Sequence, residues 1–235
     1  MKTIFLNNHP HPVHGAWAES INAEFILDRV VKFKAPGISR ILKSLSTFMK
    51  IPKDADVVIC ESSSQLIAGS LWKCFNKNKK LALIVSDPKV YYLNEMTGLN
   101  KKINLWMLKK TDLLIPTSPL MKSLIPKEVK SIKKVVFPYV DVERYHNYSA
   151  SEDNTLIFTG RISYEKGADR TLNAFKLLKN NVNDAKLYML GFGKLQKELE
   201  SEEIQNVIFT GWTDKPEDYL KKGSIYISLA RIEPA

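Results

Sequence analysis

The sequence predicts an α/β protein made of two successive units, each a parallel β-sheet covered by helices. Short apolar runs recur at even spacing along the 235 residues, and most are continuous rather than alternating. Such runs are typical of strands buried on both faces, and helix-length amphipathic patterns lie between them. A polar break at 146–154, HNYSASEDN, has no periodicity, and the alternation restarts after it. We therefore expect an interdomain linker there.

The first unit, assigned to residues 1–148, is predicted to contain six strands and four helices. The predicted strands are 2–6, 29–33, 56–60, 80–85, 112–116 and 133–137. The predicted helices are 15–28, 38–50, 63–76 and 99–110. In 38–50 the apolar residues recur at i, i+3, i+4 and i+7, which is a clear amphipathic pattern. This helix is interpreted as packing on the core with a solvated basic face, and docking to an anionic bilayer is the alternative.

The second unit, assigned to residues 149–235, is predicted to contain four strands and three helices. The predicted strands are 155–159, 186–190, 206–210 and 224–229. The predicted helices are 168–180, 194–200 and 215–222. Three of the strands run directly into a glycine, which indicates a shared crevice at their carboxyl ends, where open α/β sheets bind ligands.

The loop after strand 155–159 carries the chemistry that points to an anion. Gly160 and Arg161 follow the strand, and Lys166 and Gly167 precede the next helix. The N–H groups at a helix N-terminus favour a negative group, a guanidinium can fork onto phosphate oxygens, and an ammonium adds a point charge. The pattern indicates a diphosphate site. The alternative is that both cations are solvated surface charges, as most lysines and arginines are.

The net charge of +10 lies entirely in the first part of the chain. Residues 1–150 carry 23 Lys and Arg against 12 Asp and Glu, a net +11, whereas residues 151–235 carry 12 against 13, a net −1. Such a field attracts nucleic acid, anionic lipid surfaces or acidic small molecules. Lysines outnumber arginines 29 to 6, which disfavours nucleic acid, because its readers interleave arginine and aromatic residues.

The composition indicates a reduced, cytoplasmic protein, and peripheral attachment to a membrane stays open. No apolar run approaches the ~18 residues of a membrane span. The N-terminal apolar stretch is too short for a secretory signal and favours a first strand. Cys60 and Cys74 have no ligand-like spacing, so we expect no disulfide framework.

No metal or cofactor is expected from the histidines or the paired aspartates. His9, His11 and His14 fall within six residues, but no further Cys/His cluster supports ligation, and a loop histidine is the default interpretation. Asp54 and Asp56 form a nominal D-x-D, yet they open a predicted strand and are interpreted as a strand boundary.

Four segments resemble those of a known family. GRISYEKGADRTLNAFKLL resembles the "GR-x-x-x-x-KG" segment of retaining glycosyltransferases of family four (glycosyl transferases group 1), which have the GT-B fold. LYMLGFGKLQKELE is similar to the family's "G-x-G" turn, and the stretch from NVIFTGW to ARIEP resembles the lead into its "E-P-F-G" motif. In the first unit, TDLLIPTSPLMKSL to KVVFPYVDVERY resembles the segment that ends in "N-G-V-D-x-x-x-F".

The resemblance implies an activity and a set of site residues. It implies two Rossmann-like domains, an acceptor-side 1–148 and a nucleotide-sugar donor domain 149–235 that is C-terminally shortened. It implies transfer of a sugar from a nucleoside-diphosphate sugar with retention and without a metal. The catalytic residues would be Arg161 and Lys166 at the diphosphate and Glu233 at the donor sugar. The nucleotide-binding residues would be Gly15, Gly160, Gly191, Gly193 and Trp212, and the acceptor-side residues His14 and Asp87.

The sequence departs from the family pattern in three places. Ser86 stands where the family often has a His before Asp87, and Tyr139-Val140 replaces its "N-G". The family's second Glu would fall beyond Ala235, so the activity of this length of chain stays open. So do the donor base, the sugar and the acceptor, whether lipid-linked or saccharide. The alternatives are a noncatalytic protein that binds nucleic acid or an anionic membrane surface, and an inactive glycosyltransferase remnant.

Overall fold

The computed structural model describes residues 1–7, 12–27, 36–62, 65–86, 89–138, 142–145 and 153–233. The chain divides into two compact units, Met1–Val140 and Asp141–Glu233. Each is an α/β unit with its own parallel sheet and its own core. Among the described residues, no helix has the length and apolar character needed to cross a membrane.

The sheet of the first unit has six parallel strands in the order β2-β1-β3-β4-β5-β6. They are β1 Thr3–Asn7, β2 Glu24–Leu27, β3 Val57–Cys60, β4 Lys80–Val85, β5 Leu113–Pro116 and β6 Ile132–Lys133. All of β1 is buried, and so is β4 after its first residue, which explains their continuous apolar sequences. The strand order reverses between β1 and β3, and this switch point is where such sheets bind ligands.

Six helices accompany this sheet. They are α1 Pro12–Ser20, α2 Pro36–Lys50, α3 Leu66–Phe75, α4 Lys89–Tyr92, α5 Gly98–Lys110 and α6 Pro119–Ser123. α6 begins with Pro119 in its first turn, and the Ser118 hydroxyl accepts a hydrogen bond from the Met121 N–H. Helix α3 approaches the sheet closely, because Gly69 has no side chain and a Cβ there would lie 2.6 Å from the Cys60 Sγ.

The second unit has four parallel strands in the order β10-β7-β8-β9. The elements are β7 Thr155–Thr159, α7 Ala168–Lys179, β8 Lys186–Leu190, α8 Gln196–Glu200, β9 Val207–Gly211, α9 Glu217–Leu220 and β10 Ile225–Tyr226, with a short 3-10 helix at Glu143–Tyr145. Phe158, Phe175 and Leu187 are buried in its core. After β9 the chain returns to pair with β7, so the switch point of this sheet lies between β7 and β10.

One predicted element of the first unit needs correction, and another cannot be compared with the structure. The predicted helix 15–28 is wrong, because α1 ends at Ser20 and 24–27 is strand β2. Phe25, counted as part of the helical stripe, stacks on Phe5 of the neighbouring strand with ring centroids 5.7 Å apart. The predicted strand 29–33 lies outside the described residues.

Two predicted strands at sheet edges are shorter than expected. The segment 133–137 forms a regular ladder only at Ile132–Lys133, although the N–H groups of Lys134 and Val136 still donate to β5 carbonyls at 3.0 Å. Likewise 224–229 shortens to Ile225–Tyr226, with Ile227 still bonded to the Ile157 carbonyl.

Candidate functional site

Two segments meet at the switch point of the second sheet. The first is the β7–α7 loop, residues 160–167, and the second is the 229–233 segment that follows β10. The N–H groups of Arg231 and Ile232 donate to the Glu165 carbonyl at 2.8 and 3.3 Å. The strand order therefore brings the GR-x-x-x-x-KG residues against the last described residues of the chain.

Two ion pairs join these segments. The Lys166 Nζ donates to both carboxylate oxygens of Glu233, at 2.9 and 2.7 Å. The Arg231 guanidinium forks onto the two oxygens of Asp169, at 2.7 Å each. It also donates to the Tyr164 carbonyl at 2.7 Å, and its carbon lies 3.6 Å from the centroid of the Tyr164 ring. Two of the predicted residues, Lys166 and Glu233, are thus brought together although they are 67 positions apart.

The charges of this site shift several pKa values. The hydrogen bonds from Arg231 lower the pKa of Asp169, and the same bonds raise the pKa of Arg231. The pKa of Glu165 is lowered chiefly by a hydrogen bond from its own backbone N–H, and the nearby Arg161 and Lys194 add to the shift. Lys194 therefore joins Arg161, which is exposed, as a second cation around Glu165.

The predicted glycines fall into two groups. A Cβ on Gly191, at φ +122°, would lie 2.0 Å from the Gly160 carbonyl oxygen, and a Cβ on Gly167, at φ +68°, would lie 2.0 Å from that of Leu229. Gly193 is similarly close to Ile162, at 2.2 Å. Neighbouring backbone explains these three glycines without any ligand. At Gly160 a Cβ would meet nothing closer than 3.8 Å, so the surface beside Arg161 is open.

Two exposed aromatic rings lie at the same edge of the sheet. Phe192 follows β8 and Trp212 follows β9, and their rings meet edge to face at 6.5 Å. The Trp212 Nε1 donates to the Asp214 carboxylate at 3.0 Å, which fixes the indole. Exposed aromatic faces are surfaces on which nucleobases stack.

Of the predicted acceptor-side residues, His14 lies at the switch point of the first sheet. His14 and the neighbouring Gly15 are in the first turn of α1, which begins at Pro12 rather than at residue 15 as predicted. The His14 Nε2 lies 3.4 Å from the Glu61 Oε1, and the Ser86 hydroxyl donates to the Glu61 carbonyl at 3.4 Å. Asp87 lies outside the described residues.

The aspartates and histidines considered as metal ligands either form ion pairs or lie outside the residues that the structure describes. Asp54 pairs with Lys2 at 3.0 Å, and Asp56 pairs with Lys79 at 2.6 Å, so both carboxylates of the D-x-D belong to ion pairs. His9 and His11 lie outside the described residues. Within the described ranges, no group of three or more His, Cys, Asp and Glu side chains could hold a metal ion. Metal independence stays a prediction.

Sequence reasoning missed several residues of these sites. They are Tyr164, Asp169, Lys194 and Arg231 in the second unit and Glu61 in the first. Arg231 lies two positions before Glu233, and Asp169 three positions after Lys166, so proximity to the motif residues was the available signal.

The fold and these loops define a class: two parallel α/β units, the second with a cation-bearing loop at the switch point of its sheet. Residues 141–235 match the family model described as Glycosyl transferases group 1. Over 88 residues, 35% of this chain, the sequence is 31% identical to the poly(glycerol-phosphate) alpha-glucosyltransferase of Bacillus subtilis (strain 168). The family resemblance is thereby confirmed for the second unit.

Solved structures confirm the GT-B fold. A TarM variant from S. aureus, in complex with UDP, matches with a TM-score of 0.60 and 17% identity over 82% of this chain. A trehalose-6-phosphate synthase matches over 100% of this chain with a TM-score of 0.74 and 9% identity. The match covers 79% of the synthase chain. This chain spans 40% of the TarM chain and 13% of the Bacillus subtilis protein. The family match favours the glycosyltransferase class over a protein that binds nucleic acid or an anionic membrane surface.

Proposed function

We propose that this protein is part or all of a retaining, metal-independent glycosyltransferase that uses a nucleoside-diphosphate sugar. The observation that carries the proposal is the contact of Lys166 with Glu233 across the β7–β10 switch point. The strand order brings these two family-type residues together at the place where such sheets bind nucleotides. The TarM structure contains UDP, and the synthase structure concerns glycosyl transfer with retention, which supports the nucleotide donor and the retention of the proposal.

Each residue has a stated role in this reaction. The bond between the anomeric carbon and the diphosphate oxygen breaks, the acceptor oxygen bonds to the same face of that carbon, and the proton of the acceptor hydroxyl passes to the leaving diphosphate. Arg161 and Lys166 stabilise the negative charge that develops on the leaving diphosphate, a role in which one donor contributes roughly 10²–10³ in rate. Glu233 contacts the donor sugar, and the Trp212 and Phe192 rings offer the base a stacking surface. His14 and Asp87 belong to the acceptor side.

A thermal-shift screen tests the donor site. UDP, GDP and ADP are added to the wild type, and at least one is expected to raise the melting temperature. The double variant Arg161→Ala, Lys166→Ala should lose that rise. The control is Arg170→Ala with Lys186→Ala, which removes the same charge from exposed positions of the same unit and should keep it. No response of the wild type to any of the three would contradict the proposal.

A second proposal concerns the basic first unit: the transferase docks on an anionic membrane surface through helix α2. Leu42, Leu45 and Met49 lie along one side of α2 and are exposed, whereas Phe48 of the same helix packs against the core as predicted. Phe75 is 78% exposed, and its ring lies 6.0 Å from that of Phe48. An exposed apolar stripe on a strongly basic unit fits an interfacial helix.

Vesicle flotation tests this docking. The wild type should float with vesicles of phosphatidylglycerol and stay behind with phosphatidylcholine. Changing Leu42, Leu45 and Met49 to Ser should abolish flotation. Changing Leu99 and Leu120 to Ser, which are equally exposed elsewhere in the unit, should leave it intact. The proposal would be contradicted if the wild type floated equally with both lipids, or if the Leu99 and Leu120 variant lost flotation as well.

A further inference from the structure

We propose that Arg231 is a positioning residue of the donor site, which holds the 229–233 segment so that Glu233 stays beside Lys166. This inference rests on the proposed function, and in it Arg231 acts through Glu233. The clamp consists of Arg231, Asp169 and the Tyr164 ring and carbonyl.

The 229–233 segment depends on such contacts for its shape. It belongs to no helix or strand, so hydrogen bonding within a regular element does not fix it. Its backbone passes directly over Gly167, where a Cβ would lie 2.0 Å from the Leu229 carbonyl oxygen. The Arg231 N–H then bonds to the Glu165 carbonyl at 2.8 Å, while its side chain bonds to Asp169 on helix α7. Main chain and side chain of the same residue thus fasten the segment to the β7–α7 loop.

The Glu233 side chain is less enclosed than that of Arg231. It is 45% exposed, so packing does not fix it, and its reach depends on where the backbone two residues earlier is held. The Arg231 side chain, by contrast, is 18% exposed. The clamp needs the planar guanidinium, because a lysine cannot both fork onto a carboxylate and stack on a ring.

Hydrogen exchange tests the clamp without any ligand. Arg231→Gln, and Arg231→Lys as the charge-conserving change, should speed the exchange of the 231 and 232 amides by roughly tenfold, the effect of losing charge-assisted hydrogen bonds at a partly exposed site. Asp169→Asn, which weakens the ion pair alone, should speed the same exchange by about 1.4-fold to 5-fold and serves if Arg231 variants fold poorly. The matched control is Arg170→Gln, on the exposed position next to Asp169, which should leave exchange unchanged. Unchanged exchange in the Arg231 variants overturns the clamp.

A double-mutant cycle tests whether Arg231 acts through Glu233. UDP is the probe, and its affinity is measured for the wild type, Arg231→Gln, Glu233→Gln and the double variant. Because loosening the segment frees Lys166, Arg231→Gln should tighten UDP binding about twofold in the wild type, within the range of an exposed ion pair, and not at all in the Glu233→Gln background. An equal effect in both backgrounds overturns the positioning role. If the wild type binds no nucleoside diphosphate, the proposed function fails, and the exchange experiment still decides the clamp.

Discussion

Replacing Glu233 by Gln should tighten the binding of a nucleoside diphosphate and slow sugar transfer. Lys166 is engaged by both oxygens of Glu233, at 2.9 and 2.7 Å. A diphosphate that binds Lys166 must first displace this carboxylate. The glutamine has nearly the same shape and no charge, so the displacement no longer breaks an ion pair.

The size of the effect follows from the exposure of the pair. The Lys166 and Glu233 side chains are 27% and 45% exposed, which places the pair among surface ion pairs. Such pairs contribute about 0.2–1 kcal/mol, which corresponds to an affinity increase of about 1.4-fold to 5-fold. Turnover of the nucleotide sugar should fall, because the same carboxylate is proposed to contact the donor sugar.

Isothermal titration with the nucleoside diphosphate that gives the largest thermal shift measures the change. The gain should shrink at high salt, because screening weakens the ion pair in the wild type. The control is Glu202→Gln, which breaks the exposed pair of Glu202 with Lys176 in the same unit and should leave the affinity unchanged. An affinity that is unchanged or weaker in Glu233→Gln would refute the competition between the carboxylate and the diphosphate.

Three further predictions concern stability and reactivity. Because Arg231 lowers the pKa of Asp169, their pair stabilises the fold above the unfolded carboxyl's pKa and stops doing so as the pH falls through the lowered value. In urea titrations, Asp169→Asn should therefore cost about 0.2–1 kcal/mol near pH 7, and this cost should decline only as the pH falls below the unfolded carboxyl's pKa towards the lowered one. Gly191→Ala should cost about 1–3 kcal/mol in the same titrations, because its Cβ meets the Gly160 carbonyl at a positive φ. Cys60 is buried, which raises the pKa of its thiol, whereas Cys74 is partly exposed. A thiol reagent should therefore modify Cys74 in the folded protein and Cys60 only after unfolding.

The fold was predictable where the sequence pattern has one physical cause. Strand β4, Lys80–Val85, was predicted residue for residue, because the run after Lys80 is continuously apolar and buried. Strand β2 was missed, since it lies at the edge of the sheet and its four residues are only partly covered. When a strand is only partly buried, the spacing of its apolar residues does not distinguish a strand from a helix, and Phe25 fits both patterns.

The candidate site was predictable only in part, because its geometry depends on strand order. Arg161 and Lys166 were indicated by their place between a strand and a helix. The pairing of Asp169 with Arg231, 62 positions apart, requires β10 to insert beside β7 rather than beside β9. No local pattern contains that choice, so the residues that support the motif were not found.

The two ion pairs of this site differ in what a ligand can do to them. The Arg231 guanidinium donates hydrogen bonds to the Asp169 carboxylate and the Tyr164 carbonyl, and its flat face lies over the Tyr164 ring. An incoming diphosphate would have to replace all of these contacts at once. Lys166 has one flexible ammonium on an exposed carboxylate, and one phosphate oxygen suffices to replace it. The first pair is therefore suited to hold the 229–233 segment through the reaction, and the second to exchange partners during it. Because Arg231 and Glu233 lie in the same five-residue segment, the segment can stay fixed while Glu233 changes its partner.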